Sequence, residues 1–229
     1  MKNPFVCFVA IFLLSSYTVL AQAVENRSVP DFNKINVGGS WNVTLKPGER
    51  NEVRLEAKNL SLDKVITEVK NNRLDIRLEK GNYRNVDLEV TVTYKELVSI
   101  HSGGSGNLKS TGELVADNLE INLSGSGNAS FNHIVADKLS LTMSGSGDMA
   151  IKGGAVGALA LRQSGSGNLK AMDLVVEEAE LSKSGSGDSA VTVNRTLSVN
   201  ASGSGNVQYK GNPSMNDIRI SGSGRVVKK

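Results

Sequence analysis

Cysteine, histidine and aromatic residues are scarce in this sequence, and each shortage removes a class of function. The only cysteine is Cys7, near the start, and there are only two histidines. A disulfide framework is therefore excluded, and zinc lacks its usual cysteine and histidine ligands. Six aromatic residues follow residue 23: Phe32, Trp41, Tyr83, Tyr94, Phe131 and Tyr209. Because several occupy inward strand positions, no aromatic platform for stacking sugar rings is expected.

The sequence also lacks a large excess of either positive or negative charge. The chain has 26 Lys and Arg residues against 23 Asp and Glu, a net charge of +3 that falls to +2 without Lys2. The two signs are interspersed, and only Lys228-Lys229 forms a basic pair. This pattern excludes nucleic acid and an anionic membrane surface as expected partners. After the first segment, no run is apolar enough to form a transmembrane helix, so the mature chain is expected to have none.

The first 23 residues have the pattern of a signal peptide. Lys2 precedes an apolar run over residues 5–14, and residues 15–23 turn small and polar. Ala21 and Ala23 fit the small-x-small rule, which predicts cleavage after one or the other. The apolar run is too short to cross ~30 Å of hydrocarbon. The sequence therefore predicts export, to the periplasm, the cell surface or the extracellular space.

A Gly/Ser tetrapeptide repeats along the second half of the chain. Ser-Gly-Ser-Gly begins at Ser124, Ser144, Ser164, Ser184, Ser202 and Ser221, after a variant at residues 103–106. The spacings are 21, 20, 20, 20, 18 and 19 residues. The candidate turn residues are Gly106, Asn107, Gly125, Gly127, Asn128, Gly145, Gly147, Asp148, Gly165, Gly167, Asn168, Gly185, Gly187, Asp188, Gly203, Gly205, Asn206, Gly222 and Gly224. Only the last copy lacks the Asn or Asp, having Arg225 instead.

Between the tetrapeptides, apolar residues alternate with polar ones, which indicates strands and not a flexible linker. Two inward columns follow each tetrapeptide: Leu108, Ala129, Met149, Leu169, Ser189, Val207 and Val226, then Ser110, Phe131, Ile151, Ala171, Val191 and Tyr209. A second strand ends each repeat, as in Leu139-Ser140-Leu141. A third apolar pair lies between them, as in Leu114-Val115, Ile134-Val135 and Leu174-Val175.

Coils of about 20 residues with short strands predict an all-β fold, a single-chain parallel β-helix or solenoid. Equivalent residues would stack ~4.8 Å apart in columns, with the Gly/Ser tetrapeptide at one corner. The second glycine of each copy, such as Gly147 or Gly167, is expected to take dihedral angles that other residues avoid. The Asn side chains are expected to bond one another along the axis. These turn residues are structural, and no catalytic, cofactor or metal residue is assigned.

Residues 24–101 predict an irregular β cap, or first coils, that lacks the tetrapeptide. Asn71-Asn72 between two short strands predicts a hairpin, and a helical turn is expected near residues 62–65. A solenoid end needs a cap because it exposes unpaired strand edges. The predicted organisation is a signal peptide at 1–23, the cap at 24–101 and the repeat solenoid at 102–229. One continuous domain would span 30–225.

Three segments stand out beside the Ser-Gly-Ser-Gly-Asn/Asp turns: the opening Phe32-Asn33-Lys34-Ile35-Asn36-Val37, the segment Trp41-Asn42-Val43-Thr44-Leu45 and the strand at 90–94. With these segments and turns, the chain resembles the putative auto-transporter adhesin, head GIN domain family of exported bacterial proteins. The resemblance covers about residues 30–225. The resemblance implies a solenoid fold and a role in adhesion, and supplies no catalytic residues.

Paired carboxylates are the main alternative for chemistry. Asp117 and Asp137 fall in one column, ~5 Å apart on adjacent coils, near the separation in retaining glycosidases. That column continues as Gly157 and Glu177, and a solvated corner is the simpler interpretation. His101 and His133 do not share a column.

Calcium is a second alternative for the Asn/Asp turns. Calcium-binding repeats space Gly-Gly-x-Gly-x-Asp nine residues apart, whereas here the spacing doubles and Asn often replaces Asp. Asp148 and Asp188 are also two coils apart. Structural turns are the better interpretation of these residues.

The sequence therefore predicts a non-enzymatic exported solenoid, an adhesin-type binding protein or a structural protein of the envelope. Its partner would be an unidentified protein or glycan at the envelope. A polysaccharide lyase or hydrolase on a β-helix is the alternative.

Overall fold

The computed structural model describes residues 22–229, so the signal peptide predicted at 1–23 lies almost wholly outside the described part. Within that part the chain is nearly all strand, with one 3₁₀ turn at Leu62–Lys64. The strands are β1 (Ala23–Ser28), β2 (Lys34–Gly39), β3 (Asn42–Pro47), β4 (Glu52–Lys58), β5 (Val65–Lys70), β6 (Arg73–Leu78), β7 (Asp87–Tyr94), β8 (Ser99–Gly104), β9 (Leu108–Ser110), β10 (Glu113–Gly125), β11 (Ala129–Phe131), β12 (His133–Gly145), β13 (Met149–Ile151), β14 (Gly154–Gly165), β15 (Leu169–Gly185), β16 (Ser189–Gly203), β17 (Val207–Lys210), β18 (Ser214–Gly222) and β19 (Val226–Lys228). No helix among residues 22–229 could span a membrane.

The repeat region is a parallel β-solenoid, as the sequence predicts. β12 pairs in parallel with β10 on one side and β14 on the other, and the stack continues through β15, β16 and β18. The register advances by one repeat per coil, so Leu141 lies between Ile121 and Leu161. Parallel pairing of consecutive coils makes every sequence repeat a spatial column.

Each coil has three walls, seen most simply over residues 133–151. Wall 1 is formed by residues 133–136, wall 2 by 138–144 and wall 3 by 149–151. Burial alternates along each wall but Asp137 and Lys138 are both exposed, and the pairing is interrupted at Asp137. The chain therefore turns a corner there, and a second corner lies at the tetrapeptide between walls 2 and 3.

The interior columns are those that the alternation predicts. Phe131 is fully buried on wall 3 between Ser110 and Ile151, and Ile134 and Leu141 are buried on the other two walls. The third apolar pair differs from the other columns, because Leu114 enters the core while Val115 is 58% exposed. Its second members form an outward column on wall 1.

One regular coil precedes the tetrapeptide repeat. β2 pairs in parallel with β8, placing Gly38 and Gly39 opposite Gly103 and Gly104, and β3 pairs in parallel with β9. Residues 38–41, Gly-Gly-Ser-Trp, are therefore a divergent copy of the tetrapeptide. The segment has no Ser-Gly-Ser-Gly motif, and Trp41 in place of the last glycine conceals the equivalence of residues 38–41 from the sequence.

The rest of the N-terminal region closes the end of this first coil. β6 and β7 pair in parallel with the outer edges of β2 and β3, while β4 joins β7 and β1 in antiparallel fashion. The predicted hairpin is confirmed: β5 and β6 pair across Asn71 and Asn72, which have φ of 52° and 59°. The chain thus leaves the first coil, builds the cap outside it, and returns through β8 to continue the stack.

In the described residues, the C-terminal end of the solenoid has no cap like the one at the N-terminal end. β18 and β19 pair only with β16 and β17, so one edge of each strand is free. Several apolar side chains of this last coil are about 40% exposed: Met215, Ile218, Ile220 and Val227. The two ends of the solenoid therefore differ.

Candidate functional site

The first glycine of each tetrapeptide takes the left-handed backbone conformation. Gly145 and Gly165 have φ of 122° and 104°, and the equivalent glycines from Gly104 to Gly222 lie in the same region. The prediction that the second glycine has this role was wrong. The glycine with positive φ therefore lies two positions earlier than expected.

The second glycine is required for a different reason. Gly147 and Gly167 have ordinary φ, but a Cβ on Gly167 would lie 2.1 Å from the carbonyl oxygen of Gly147. A Cβ on Gly147 would meet the carbonyl of Gly127 at 2.0 Å in the same way. The corner therefore stacks backbone on backbone, at a distance where no side chain fits.

Trp41 confirms that the crowding comes from the preceding coil. It occupies the position of the second glycine in the first coil, and no tetrapeptide corner precedes it in the stack. Its side chain folds against Gly39 and is 7% exposed. Gly106, one coil later, again requires glycine, because its Cβ would lie 1.8 Å from the Trp41 carbonyl oxygen.

Backbone bonds join each corner to the next. The N–H groups of Ser166 and Gly167 both donate to the carbonyl of Gly145, at 3.0 and 3.1 Å, and every repeat copies this pattern. The Ser and Gly amide groups of the inner corners are therefore occupied by the preceding coil. These N–H groups connect adjacent coils and are not available to bind an anion.

The Asn and Asp residues after the tetrapeptides form a continuous hydrogen-bonded ladder. Oδ1 of Asp148 accepts from the backbone N–H and the Nδ2 of Asn168, both at 2.9 Å, and Oδ1 of Asn168 accepts from the N–H of Asp188 at 2.9 Å. The ladder begins at Asn42, one rung earlier than the sequence indicated, and ends at the N–H of Arg225. Its rungs are Asn42, Asn107, Asn128, Asp148, Asn168, Asp188, Asn206 and Arg225.

Asp148 is held in its ionised form. The Lys170 ammonium donates to Oδ2 at 2.8 Å and lowers the pKa of Asp148, together with the Asn168 hydrogen bonds, against an opposing contribution from burial. Asp148 and Asp188 remain two rungs apart with Asn168 between them. Across residues 22–229, no group of three potential metal-ligating side chains comes together.

A polar cluster lies inside the corner of two coils, where other coils have Leu123 and Met143. Lys183 is 7% exposed, and its ammonium donates to the carbonyl oxygens of Gly187 and Asn206 at 2.7 and 3.0 Å. Its third contact is Ser189 Oγ at 2.8 Å, and that hydroxyl donates to Gln163. The three donors of the ammonium thus meet three acceptors.

Burial lowers the pKa of Lys183 to about 8, and the nearby Asp188 carboxylate opposes this shift. Ser189 is fully buried, so the Lys183–Ser189 contact has no access to a substrate. The sequence analysis placed Ser189 in an inward column but missed its two partners. The available signal was a Gln and a Lys, Gln163 and Lys183, in the column that otherwise holds Leu123 and Met143.

The Asp117 and Asp137 column lies on the exposed corner between walls 1 and 2. The two residues occupy successive coils, as predicted, and with Gly157 and Glu177 they line a shallow groove beside wall 1. The other lining side chains are valine and alanine, and no arginine is among them. His133 lies near Glu113, with Nε2 3.6 Å from a carboxylate oxygen, while His101 is on wall 2 opposite Asn122. The histidines and the acidic column are therefore not brought into one catalytic arrangement.

The model of the family described as putative auto-transporter adhesin, head GIN domain, matches residues 31–213. The chain belongs to this family. The match begins just before the first coil and runs into the last one, so the head GIN domain includes both the N-terminal β region and the repeat coils. No protein of curated function matches the chain.

Solved structures show the same fold. A protein from Bacteroides fragilis, described as a putative adhesin, is 25% identical with a TM-score of 0.87, covering 91% of this chain and 97% of its own. A putative adhesin from Parabacteroides distasonis is also 25% identical, with a TM-score of 0.73 and the same two coverages. A third, from the same species and described as a putative lipid binding protein, is 24% identical with a TM-score of 0.70, covering 91% of this chain and 96% of its own. At that identity the third shows the fold alone.

Proposed function

We propose that this head GIN domain protein is exported and acts as a non-catalytic, adhesin-type binding protein of the bacterial envelope. Its leader, residues 1–23, would be removed on export, leaving a cap at 24–101 and a repeat body at 102–229. The mature protein would act in the periplasm, on the cell surface or outside the cell. Its partner would be a protein or a glycan of the envelope.

The observation that carries this proposal is the use of the repeat residues. The residues that recur in each repeat are two glycines and an Asn or Asp. Their polar groups are hydrogen-bonded to neighbouring coils, as at Gly167 and Asn168. The exposed walls are therefore the surfaces left for function, held on a rigid frame. Membership of a family described as putative adhesins supports the same role.

A polysaccharide lyase or hydrolase remains the alternative to test. The acidic groove holds Asp117, Asp137 and Glu177 beside valines, without a cation to bind an acidic sugar. The acid of a glycosidase pair also lies in a shielded site, whereas Asp117 and Asp137 are both exposed. The groove therefore favours docking over hydrolysis.

Two measurements test the proposal. Protease added to intact cells should remove the protein if it lies on the surface, while a periplasmic protein should be lost only after the outer membrane is opened. Beads coated with the mature protein should adhere to cells of the source bacterium or its neighbours, and soluble protein should compete. Release of new reducing ends from a panel of polysaccharides, at a rate proportional to enzyme, would contradict the non-catalytic assignment.

A further inference from the structure

Wall 1 carries an aliphatic column on its outside, unlike the other walls of the repeat body. We name it the valine stripe, and it consists of Val115, Val135, Ala155 and Val175, stacked in register on four successive coils. Val115 is 58% and Val175 41% exposed. The outward columns of wall 2 are instead mostly polar or small, as at Asn122, Thr142 and Arg162. Exposed aliphatic side chains in a row mark an interaction surface more often than a solvated face.

Carboxylates border the valine stripe on both sides. Asp117, Asp137 and Glu177 lie along the corner with wall 2, and Glu113 and Asp173 lie along the opposite border. The charged groups of the other sign nearby are few. Lys138 follows Asp137 around the corner, Arg195 pairs with Glu178 at 3.1 Å, and the exposed Lys152 lies next to the column of Glu113 and Asp173.

The stripe also has a recess. Ala155 and Gly157 stand where the adjacent coils have valine and a carboxylate, so the groove deepens in the middle of the stripe. A side chain of a partner can enter there and contact Val135 and Val175 from between them. The flanking acids would then meet cations on either side of that side chain.

We propose that the valine stripe binds an extended protein segment in which aliphatic residues alternate with Lys or Arg. The aliphatic side chains would face the stripe and cover the valines. The Lys or Arg side chains would leave the opposite face of the segment, and their length would let them reach around its edges to Asp117, Asp137 and Glu177. This inference rests on the proposed binding function and names the chemistry of the partner. An anionic membrane is disfavoured because the bordering carboxylates repel it. A glycan is disfavoured because aromatic residues that could stack on sugars, such as Trp41, Tyr94 and Phe131, are buried.

The test uses the purified mature protein and three synthetic hexapeptides, measured by fluorescence anisotropy at 150 mM salt. Lys-Val-Lys-Val-Lys-Val should bind at least ten times more tightly than Lys-Ser-Lys-Ser-Lys-Ser, and Glu-Val-Glu-Val-Glu-Val should not bind. The double variant Val115→Ser/Val175→Ser should weaken binding of the Lys-Val peptide at least tenfold. Its matched control, Val227→Ser, removes an exposed valine at the far end of the solenoid and should change binding less than twofold.

The charges are tested in the same way. Asp117→Asn/Asp137→Asn should weaken binding of both Lys peptides, while Glu120→Gln/Glu180→Gln on wall 2 should not. Equal binding of the Lys-Val and Lys-Ser peptides would overturn the proposal, since it would show charge attraction alone. So would unchanged binding by the Val115→Ser/Val175→Ser protein, stripe-dependent self-association in sedimentation, or binding to phosphatidylglycerol vesicles in place of the peptide. If a variant that no longer binds the peptide still supports bead adhesion, the valine stripe is not the adhesive surface, while the proposed adhesin-type function is unaffected.

Discussion

At the scale of single residues, one amino acid serves two different physical needs at the corner. Gly165 is required both by its φ of 104° and by the carbonyl oxygen of Gly145, 2.3 Å from where a Cβ would stand. Gly167 has no positive φ and is required only by the carbonyl oxygen of Gly147, 2.1 Å from its Cβ position. A sequence repeat cannot distinguish these needs, because both are met by the same absence of a side chain. Substitutions that add only a methyl group can separate them.

We expect Gly167→Ala to lower the free energy of unfolding by about 1–3 kcal/mol through overpacking, and Gly165→Ala to lower it further, because backbone strain is added to the same crowding. Gly38→Ala is the matched control, because nothing lies within 4 Å of its Cβ position. It should cost less than about 0.5 kcal/mol. Chemical denaturation measures all three, with and without calcium. A stability loss that appears only when calcium is present would instead make the corner a metal site.

Gly224, in the last copy, is a partial exception. A Cβ there would approach the Gly205 carbonyl oxygen to 2.4 Å, so the preceding coil still crowds it. The last coil pairs on one side only and can move outward. We therefore expect Gly224→Ala to lower the free energy of unfolding less than Gly167→Ala does, because the end coil can move away from the crowding.

Lys183 makes the stability of the fold depend on pH in an unusual direction. Its pKa is about 8 in the folded chain against 10.5 for an ordinary lysine. Between these values the unfolded chain holds the proton and the folded chain does not, so stability rises with pH. We expect a gain of about 2 kcal/mol in unfolding free energy between pH 7 and pH 9.5.

Lys183→Met is the control, because Met143 fills the same column two coils earlier. It should remove this gain and leave a flat profile over the same range. Staying at or below pH 9.5 avoids the titration of Tyr94, whose pKa burial raises to about 12. An identical rise in the wild-type and Lys183→Met proteins would show that another group is responsible.

At the scale of the repeated element, the ladder alternates its charge. Asp148 and Asp188 are each flanked by uncharged rungs, so no two carboxylates of the ladder lie on adjacent coils. Adjacent carboxylates would face each other across ~4.8 Å, the spacing between strands. The order of Asn and Asp is thus consistent with avoiding like charges on neighbouring coils.

Asn168→Asp tests this by placing three carboxylates in a row. We expect it to destabilise the fold by about 1–2 kcal/mol at low salt and pH 7, and by less in high salt. Asn107→Asp loses the same amide donor but has Asn42 and Asn128 as neighbours. It should therefore cost clearly less than Asn168→Asp in the same urea titrations. Equal costs would mean that the lost amide bond, and not repulsion, sets the effect.

Sequence reasoning recovered the elements that depend on local or periodic patterns. The hairpin at Asn71-Asn72 and the inward position of Phe131 follow from turn chemistry and period-two alternation, and both are confirmed. It offered first coils as one interpretation of residues 24–101 but did not locate the corner at residues 38–41, because Trp41 replaces a glycine where no earlier corner crowds it. It also missed the Gln163–Lys183–Ser189 cluster, since those residues meet only through stacking of coils 20 residues apart.

At the scale of the whole molecule, the two ends of the solenoid are protected by different means. The N-terminal end is covered by β1 and β4–β7, which pair outside β2 and β3. The C-terminal coil instead presents charge near its free edges, which discourages strand addition by another chain. Its charged residues are Lys210, Asp217, Arg219, Arg225, Lys228 and Lys229.

This asymmetry predicts where the solenoid opens first. In a stack of coils, each coil is stabilised by its neighbours, so a terminal coil with one neighbour and partly exposed apolar side chains has the lowest local stability. Ile218 is 37% exposed, whereas its equivalents Leu181 and Val199 in the two preceding coils are fully buried.

We expect the amide protons of β18 and β19 to exchange with solvent at least about tenfold faster than those of β2 and β3. Hydrogen exchange followed by mass spectrometry measures this in the mature protein, and Ile218→Ala should speed exchange in β18 and β19 while leaving β2 and β3 unchanged. Uniform exchange along the stack, equally accelerated everywhere by Ile218→Ala, would show instead that all the coils unfold as a single cooperative unit.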